Sequence, residues 1–303
     1  MTDRVRVNDV SPRDGLQNEP GVVSTADKAN LVRALATSGV DEVEVSSFVS
    51  PRWVPQLGDA AELFELVAGD KPEGVIFSAL VPNERGAERA LATNEHAGIR
   101  LIDTLSIFTA ASETFSQRNT NASIEETLAR FEPVARLAHD QGLQLRAYIS
   151  CVIACPFEGP ILPDAVARVG ARLLDLGVDE LDLGDTIGAG DEASIAALLS
   201  EVLGTLGERA PAVSLHLHDT FGRAGDCVRT ALDFGVRRFD AAVGGLGGCP
   251  YASTATTRAP GNLSTRALLD VVEAAGFAHG VNRDALAAAE GIATRVVAEA
   301  TTP

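Results

Sequence analysis

Lysine is nearly absent from this chain: among 303 residues only Lys28 and Lys71 carry an ammonium group, and arginine supplies the remaining positive charge. A Schiff-base aldolase needs a placed lysine, as does a metal site built on a carbamylated one, so two positions must answer for both chemistries. Positive charge is scarce altogether, 25 basic against 42 acidic side chains for a net charge of −17. Such a surface repels phosphate-rich partners at long range, which excludes general binding to nucleic acid or to an anionic membrane and obliges any anionic ligand to find a local basic patch. The four cysteines, Cys151, Cys155, Cys227 and Cys249, lack the paired spacing of a zinc site. They are expected to be thiols, most of them buried as small apolar side chains. No apolar run approaches the length of a membrane span. The opening residues Met1 to Arg6 are charged and alternating rather than an apolar signal core, the pattern expected of a cytoplasmic protein.

What the chain has instead is a regular alternation. Arg4 to Val10 reads as a strand, Ser11 to Gly21 as a loop rich in proline, glycine and asparagine, and Ser24 or Thr25 caps a helix that ends at Gly39. Further strands are predicted over 40–48, 75–81, 99–108, 143–153, 178–183, 213–218 and 237–243. Helices fall between them over 58–68, 83–96, 123–141, 163–176, 191–206, 223–234 and 264–275, with one extra C-terminal helix over 282–300. Eight strand–helix units in this length, uninterrupted by any linker or low-complexity segment, point to an α/β fold, a (β/α)8 TIM barrel, rather than a doubly wound open sheet. The expectation is a single catalytic domain over 1–303, with the barrel at about 4–276 and the additional helix beyond it.

In such a barrel chemistry sits where strands end and the following loops begin. Polar residues collect there: Asn8, Asp9, Arg13 and Asp14 after strand 1, Glu44, Ser46 and Ser47 in strand 2, Asp185 and Thr186 after strand 6, and His216, His218 and Asp219 at the end of strand 7. Both lysines fall on the opposite side, so carbon–carbon bond chemistry at this mouth would be metal-assisted. His216 and His218 are two residues apart in a strand and share a face; they are either a metal pair or hydrogen-bonded core histidines. Asp14 could join them, since only strand 8 separates strands 1 and 7 in a closed ring, or could simply form an Asx turn in Pro12-Arg-Asp-Gly15. Asn262 could add an amide oxygen, giving a mixed nitrogen and oxygen set suited to six-coordinate Mg²⁺ or Mn²⁺; a turn is its alternative too. Arg13 is a fixed cation able to stabilise an oxyanion, or a partner for Glu44 or Asp9. The glycine loop 244–248 ending at Cys249 suits a mobile lid that delivers an acid or base, or a phosphate cradle.

Six motifs taken in order, Ser11-Pro-Arg-Asp-Gly-Leu-Gln-Asn-Glu19, Ser47-Phe-Val-Ser-Pro51, Ala110-Ala-Ser-Glu-Thr-Phe115, Leu183-Gly-Asp-Thr-Ile-Gly188, His216-Leu-His-Asp-Thr220 and Gly244-Gly-Leu-Gly-Gly-Cys-Pro-Tyr251, closely resemble the 3-hydroxy-3-methylglutaryl-CoA lyase family of metal-dependent barrels. The resemblance implies Asp14, His216, His218 and Asn262 as ligands of Mg²⁺ or Mn²⁺, with Arg13 as enolate stabiliser. It also implies Cys249 as the loop thiol of proton transfer and Glu44 as polar support. The implied reaction is retro-Claisen cleavage of an acyl-CoA thioester to acetyl-CoA and acetoacetate, a step of leucine catabolism, with Asp14 and His216 at the reacting centre. Two features depart from the family pattern. The segment Ala252 to Pro260 is a few residues longer, and Arg266 stands where the family has an acidic residue. Arg258 and Arg266 are candidate CoA contacts that would supply the local basic patch. A Claisen-condensing acyltransferase of the isopropylmalate or citramalate synthase type is the alternative enzyme, and a metal-binding barrel without catalysis a third reading. A homodimer is an expectation from the resemblance alone.

Overall fold

The computed structural model describes residues 3–209, 212–247 and 261–300. Eight parallel strands form a closed barrel: β1 (Arg6–Asp9), β2 (Glu42–Ser47), β3 (Ile76–Leu80), β4 (Thr104–Ala110), β5 (Gln144–Ser150), β6 (Glu180–Asp185), β7 (Ala212–Leu217) and β8 (Arg238–Ala241), each paired with its neighbours in sequence and β8 with β1. Helices cover the outside: α1 (Thr25–Thr37), α2 (Ala60–Val67), α3 (Glu84–Ala97), α4 (Glu113–Thr120), α5 (Ile124–Asp140), α6 (Pro163–Asp175), α7 (Glu192–Leu206), α8 (Ala224–Asp233), α9 (Thr265–Ala274) and α10 (Arg283–Ala300). The expected TIM barrel with an additional C-terminal helix is the fold observed, and α10 packs on α1.

Most of the helices start where a short polar side chain can take a free backbone amide. Ser24 accepts from Asp27, Asn83 from Gly86, Asp191 from Ser194 and Ser264 from Ala267, while Ser123 and Glu126 cap each other reciprocally at α5. Successive strand residues alternate between the helices and the lumen, and composition follows that alternation. The outward set, Val43, Val45, Phe77, Leu105, Ile107, Leu145, Ile149, Leu181, Leu183, Leu215 and Phe239, is apolar and buried in one continuous core with helix residues such as Leu31, Leu63, Phe64 and Leu198. Each such side chain contributes about 1.5–3 kcal/mol on burial. The lumen, usually filled by branched aliphatics, is here polar. Arg146 of β5 donates to Asp182 of β6 at 2.5 Å and to Asp240 of β8, and Nε lies 3.3 Å from Glu180. Because β6 and β7 separate β5 from β8, the bond to Asp240 crosses the barrel.

Burial in this lumen, offset in part by Arg146, raises Glu42 to about 7, and burial together with the Asp240 charge raises Asp182 to about 7. An acid whose folded value is raised holds its proton in the folded state at a pH where the unfolded chain has lost it. Stability therefore falls as pH rises from about 4 to about 7. Glu42→Gln is expected to flatten that fall, measured by urea unfolding at intervals across the window.

Four local details differ from the sequence expectation. The strand expected from 99 begins only at Thr104, because Asn94 Oδ1 takes the amides of Leu101 at 3.1 Å and Ile102 at 2.7 Å and diverts them from the sheet. Helix α4 and a small antiparallel pair, Ala154–Cys155 with Gly159–Pro160, occupy stretches in which neither helix nor strand was expected. Ser11–Gly15, expected as loop, is a π-helical turn with Asp14 and Gly15 amides both on the Val10 carbonyl.

Candidate active site

The π turn places Arg13 and Asp14 side by side at the C-terminal mouth of the barrel, on a single rigid corner. Asp9, buried beneath it, accepts from the Ser11 amide at 3.0 Å and from Thr265 Oγ1 at 2.7 Å, which ties the corner to α9. Arg13 is buried and bonds Glu44 rather than Asp9: Nε donates to Glu44 Oε2 at 2.5 Å and Nη1 to Asp14 Oδ1 at 2.6 Å. Its guanidinium lies 5.4 Å from the Tyr148 ring centroid. Glu44 is wholly buried and its Oε1 has no hydrogen-bond partner among the described residues. Despite burial, which favours the acid, the charges of Arg13, His216 and His218 hold Asp14 down at about 2.

His216 and His218 do share a face, and their Nε2 atoms meet at 3.3 Å. With Asp14 they offer three ligand atoms all within 4.8 Å of one another. Two ligands in adjacent positions of an octahedron at about 2.1 Å from the cation stand about 3 Å apart, so the nitrogen pair has the spacing of metal ligands. Burial and the charge of His216 lower His218 to about 4, and its Nδ1 is buried without a hydrogen-bond partner among the described residues. For His216 burial favours the neutral ring, but the hydrogen bond to Asp240 and the charges of Asp14, Asp240 and Asp182 outweigh it and raise the value to about 9. One proton between two facing nitrogens is the electrostatic equivalent of a cation there. The three donors together form a set whose spacing fits a divalent ion.

Asn262 arrives in a bridge beside His218, and its Nδ2 donates to Asp14 Oδ2 and to the Leu246 carbonyl, both at 2.9 Å. The amide nitrogen, not the expected oxygen, faces the carboxylate, because Leu246 offers a second acceptor on the same side. As an oxygen ligand Asn262 has to turn its amide over. Gly247, at φ +94°, leaves no room beside it: a Cβ there would lie 2.6 Å from Asn262 Nδ2. Gly247→Ala is expected to displace this amide and so lower kcat/KM, and separately to strain the folded chain by about 1–2 kcal/mol through its left-handed backbone. Steady-state kinetics with far-ultraviolet circular dichroism as a folding control measures it.

Arg13, Asp14, Glu44, His216, His218 and Asn262 are thus brought together. Arg266 is not among them: its guanidinium is held by Glu290 of α10 on the outer ring, so the salt bridge, not an exposed cation, is what the fold makes of it. Cys249 and Arg258 lie outside the described residues. Sequence reasoning missed Asp240, whose Oδ2 accepts from His216 Nδ1 at 3.1 Å, and Tyr148, whose ring meets His216 edge-on with centroids 6.0 Å apart and whose buried hydroxyl has no hydrogen-bond partner among the described residues. The polar alternation of Gln144-Leu-Arg-Ala-Tyr148 and Arg238-Phe-Asp240 carried the signal.

The family model described as HMGL-like matches residues 4–292. The chain belongs to this family. A hydroxymethylglutaryl-CoA lyase of Pseudomonas mevalonii is 43% identical over 285 residues, covering 93% of this chain and 89% of that protein. The HMG-CoA lyase structure from Brucella melitensis superposes with a TM-score of 0.89 at 41% identity, covering 98% of this chain and 99% of the other. A family structure from Acinetobacter baumannii, described in complex with coenzyme A and 3-methylmalate, matches with a TM-score of 0.86 at 33% identity, over 98% and 92% of the two chains. The carboxyl transferase domain of Rhizobium etli pyruvate carboxylase, 17% identical, shares the fold.

Proposed function

We infer that this chain is a metal-assisted carbon–carbon lyase that cleaves 3-hydroxy-3-methylglutaryl-CoA to acetyl-CoA and acetoacetate. The observation that carries the reading is the convergence of Asp14, His216 and His218 on one point at the barrel mouth, beside an arginine locked by Glu44. Asp14, His216, His218 and Asn262 would hold a divalent cation, Mg²⁺ or Mn²⁺, which when bound supplies a Lewis acid for the oxygens of the hydroxyacyl group. No lysine competes for the role: Lys28, in the first turn of α1 and so at the mouth end of the outer ring rather than on the opposite side as expected, is tied to Asp59 at the start of α2, and Lys71 is tied to Asp103.

The residues of the chain do the rest. Removal of the tertiary hydroxyl proton lets a ketone form as the adjacent carbon–carbon bond breaks, and its electron pair passes to the thioester as an enolate. Arg13, with Nε and Nη1 engaged, keeps its remaining Nη2 donors for the thioester oxygen where that charge gathers. The enolate carbon then takes a proton to give acetyl-CoA. Cys249, at the end of the glycine loop, is proposed for this proton transfer, and its acid or base partner is His216 or bound water. Residues 1–303 would act as one catalytic unit. Arg258 is kept as a CoA contact, while Arg266 would have to leave Glu290 to serve as one. Cytoplasmic location, consistent with the free thiols of Cys151, Cys155 and Cys227, assembly as a homodimer and a place in leucine catabolism belong to the same proposal. Among the described residues no helix is long and apolar enough to cross a membrane.

The test is incubation with a 3-hydroxy-3-methylglutaryl thioester and Mg²⁺ or Mn²⁺, with and without a chelator. Acetyl-CoA should appear with metal and vanish with chelator, and its absence in both arms would sink the lyase reading. Condensation of acetyl-CoA with a 2-oxo acid would favour a synthase instead. Cys249→Ala is expected to lower kcat by about 10²–10⁴-fold, the usual loss when a positioned proton donor is removed, and full activity would remove the thiol from the mechanism.

A further inference from the structure

Behind His216, Asp240 and Arg146 extend a chain of polar contacts across the lumen, and the proposed reaction gives these two residues no role. Asp240 is 2% exposed and each of its oxygens has a separate duty. Oδ1 accepts from Arg146 Nη2 and from Asn8 Nδ2, the latter at 2.9 Å; Oδ2 accepts from His216 Nδ1 at 3.1 Å. Arg146 is anchored in turn by Asp182, which also takes the Ser214 hydroxyl at 2.7 Å, and by Glu180. The carboxylate cannot rotate without setting an oxygen free in a sealed site.

We propose that Asp240 is a positioning residue that fixes His216 with its proton on Nδ1, so that the Nε2 lone pair is presented to the point shared with Asp14 and His218. The proposal rests on the metal-centre reading. Its physical basis is that an imidazole bound through one nitrogen is oriented and made more basic by an acceptor on the other. Arg146 and Asn8 make the arrangement directional. Both are donors aimed at Oδ1, so that end of residue 240 must be an acceptor, whatever the other end is.

This gives Asp240→Asn a specific consequence. The amide oxygen has to stay with Arg146 and Asn8, which puts the NH₂ group against His216 Nδ1. That nitrogen must then accept, and the ring proton moves to Nε2, where it blocks the lone pair a cation needs. The substitution nearly conserves volume and leaves Arg146 with Asp182 and Glu180, so the barrel itself should persist.

Two measurements test it. Free Mn²⁺ counted by electron paramagnetic resonance is expected to show about 10- to 100-fold weaker binding to Asp240→Asn than to the wild type. Long-range ¹H–¹⁵N spectra of imidazole-labelled, Mg²⁺-loaded protein are resolvable because the chain has only five histidines. They should show His216 protonated on Nδ1 in the wild type and on Nε2 in the variant. Mn²⁺ affinity unchanged within twofold, or an unmoved proton, overturns the role of Asp240 while leaving the metal centre standing. Failure of the wild type to bind Mn²⁺ overturns the metal centre and the proposal with it. Should the variant fail to fold, the wild-type spectrum still decides: His216 protonated on Nε2, or joined to the metal through Nδ1, refutes the assignment.

Discussion

Arg13→Met is expected to lower kcat by about 10²–10³-fold with a smaller change in KM, because the charge it stabilises exists only as the carbon–carbon bond breaks. Its geometry gives the group little freedom to do anything else. Nε is bound to Glu44, Nη1 to Asp14, and the guanidinium rests against the Tyr148 ring. That bracing is what makes the remaining edge a preorganised donor, and it also makes the substitution structurally expensive. Glu44 is fully buried with one oxygen already unpartnered among the described residues, so loss of Arg13 strands a carboxylate at a cost of about 3–5 kcal/mol. The two effects are separable. The double variant Arg13→Met with Glu44→Gln should recover stability in urea unfolding, yet kcat should not return. Recovery of kcat would mean that Arg13 serves the fold alone. Arg13→Lys is expected to lose nearly as much rate, since one ammonium cannot span Glu44 and Asp14 and still face a substrate oxygen.

The sequence displayed the barrel through its outer layer. Val43, Leu105, Leu181 and Leu215 face the helices, and alternating apolar strands with capped helices are a pattern that local chemistry alone produces. The mouth was legible for a related reason: a strand followed by Arg13-Asp14 or ended by His216-x-His218 puts polar atoms where a barrel opens. The lumen was not legible in the same way. Asp182 and Asp240 lie mid-strand, 36 and 94 positions from Arg146 respectively, and only closure of the ring makes all three partners. A lone charged residue inside a strand reads as a local irregularity until the residue across the lumen is known. The amide of Asn262 is a different kind of blind spot. Sequence can place an asparagine at a site, but which end faces Asp14 depends on the Leu246 carbonyl, an accident of loop geometry. The segment 99–103 misled because its apolar residues fit a strand, whereas Asn94 had already claimed its amides.

His218→Ala should produce the largest loss, abolishing tight metal binding and lowering kcat by about 10³-fold or more, since the Lewis acid it would help hold is worth several kcal/mol of transition-state stabilisation. Of the two histidines it is the cleaner probe. His216 is woven into the lumen through Asp240 and lies edge-on to Tyr148, so its removal perturbs the fold as well as the site. Among the described residues His218 has no such anchor: its Nδ1 has no hydrogen-bond partner there, and its Nε2 faces Nε2 of His216. A buried ring held at about 4, neutral at working pH, with one nitrogen idle and the other aimed at an identical group, gives the isolated fold little. Deleting it should therefore leave thermal stability almost unchanged, or raise it slightly by relieving the crowding of two imidazoles. The decisive comparison is unfolding with and without saturating Mn²⁺. Wild-type protein should gain about 2.7 kcal/mol at a metal concentration of about 100 times Kd. His218→Ala should gain nothing at the same concentration. An equal metal-induced gain in both proteins would place the cation elsewhere and leave the paired histidines without a function in this barrel.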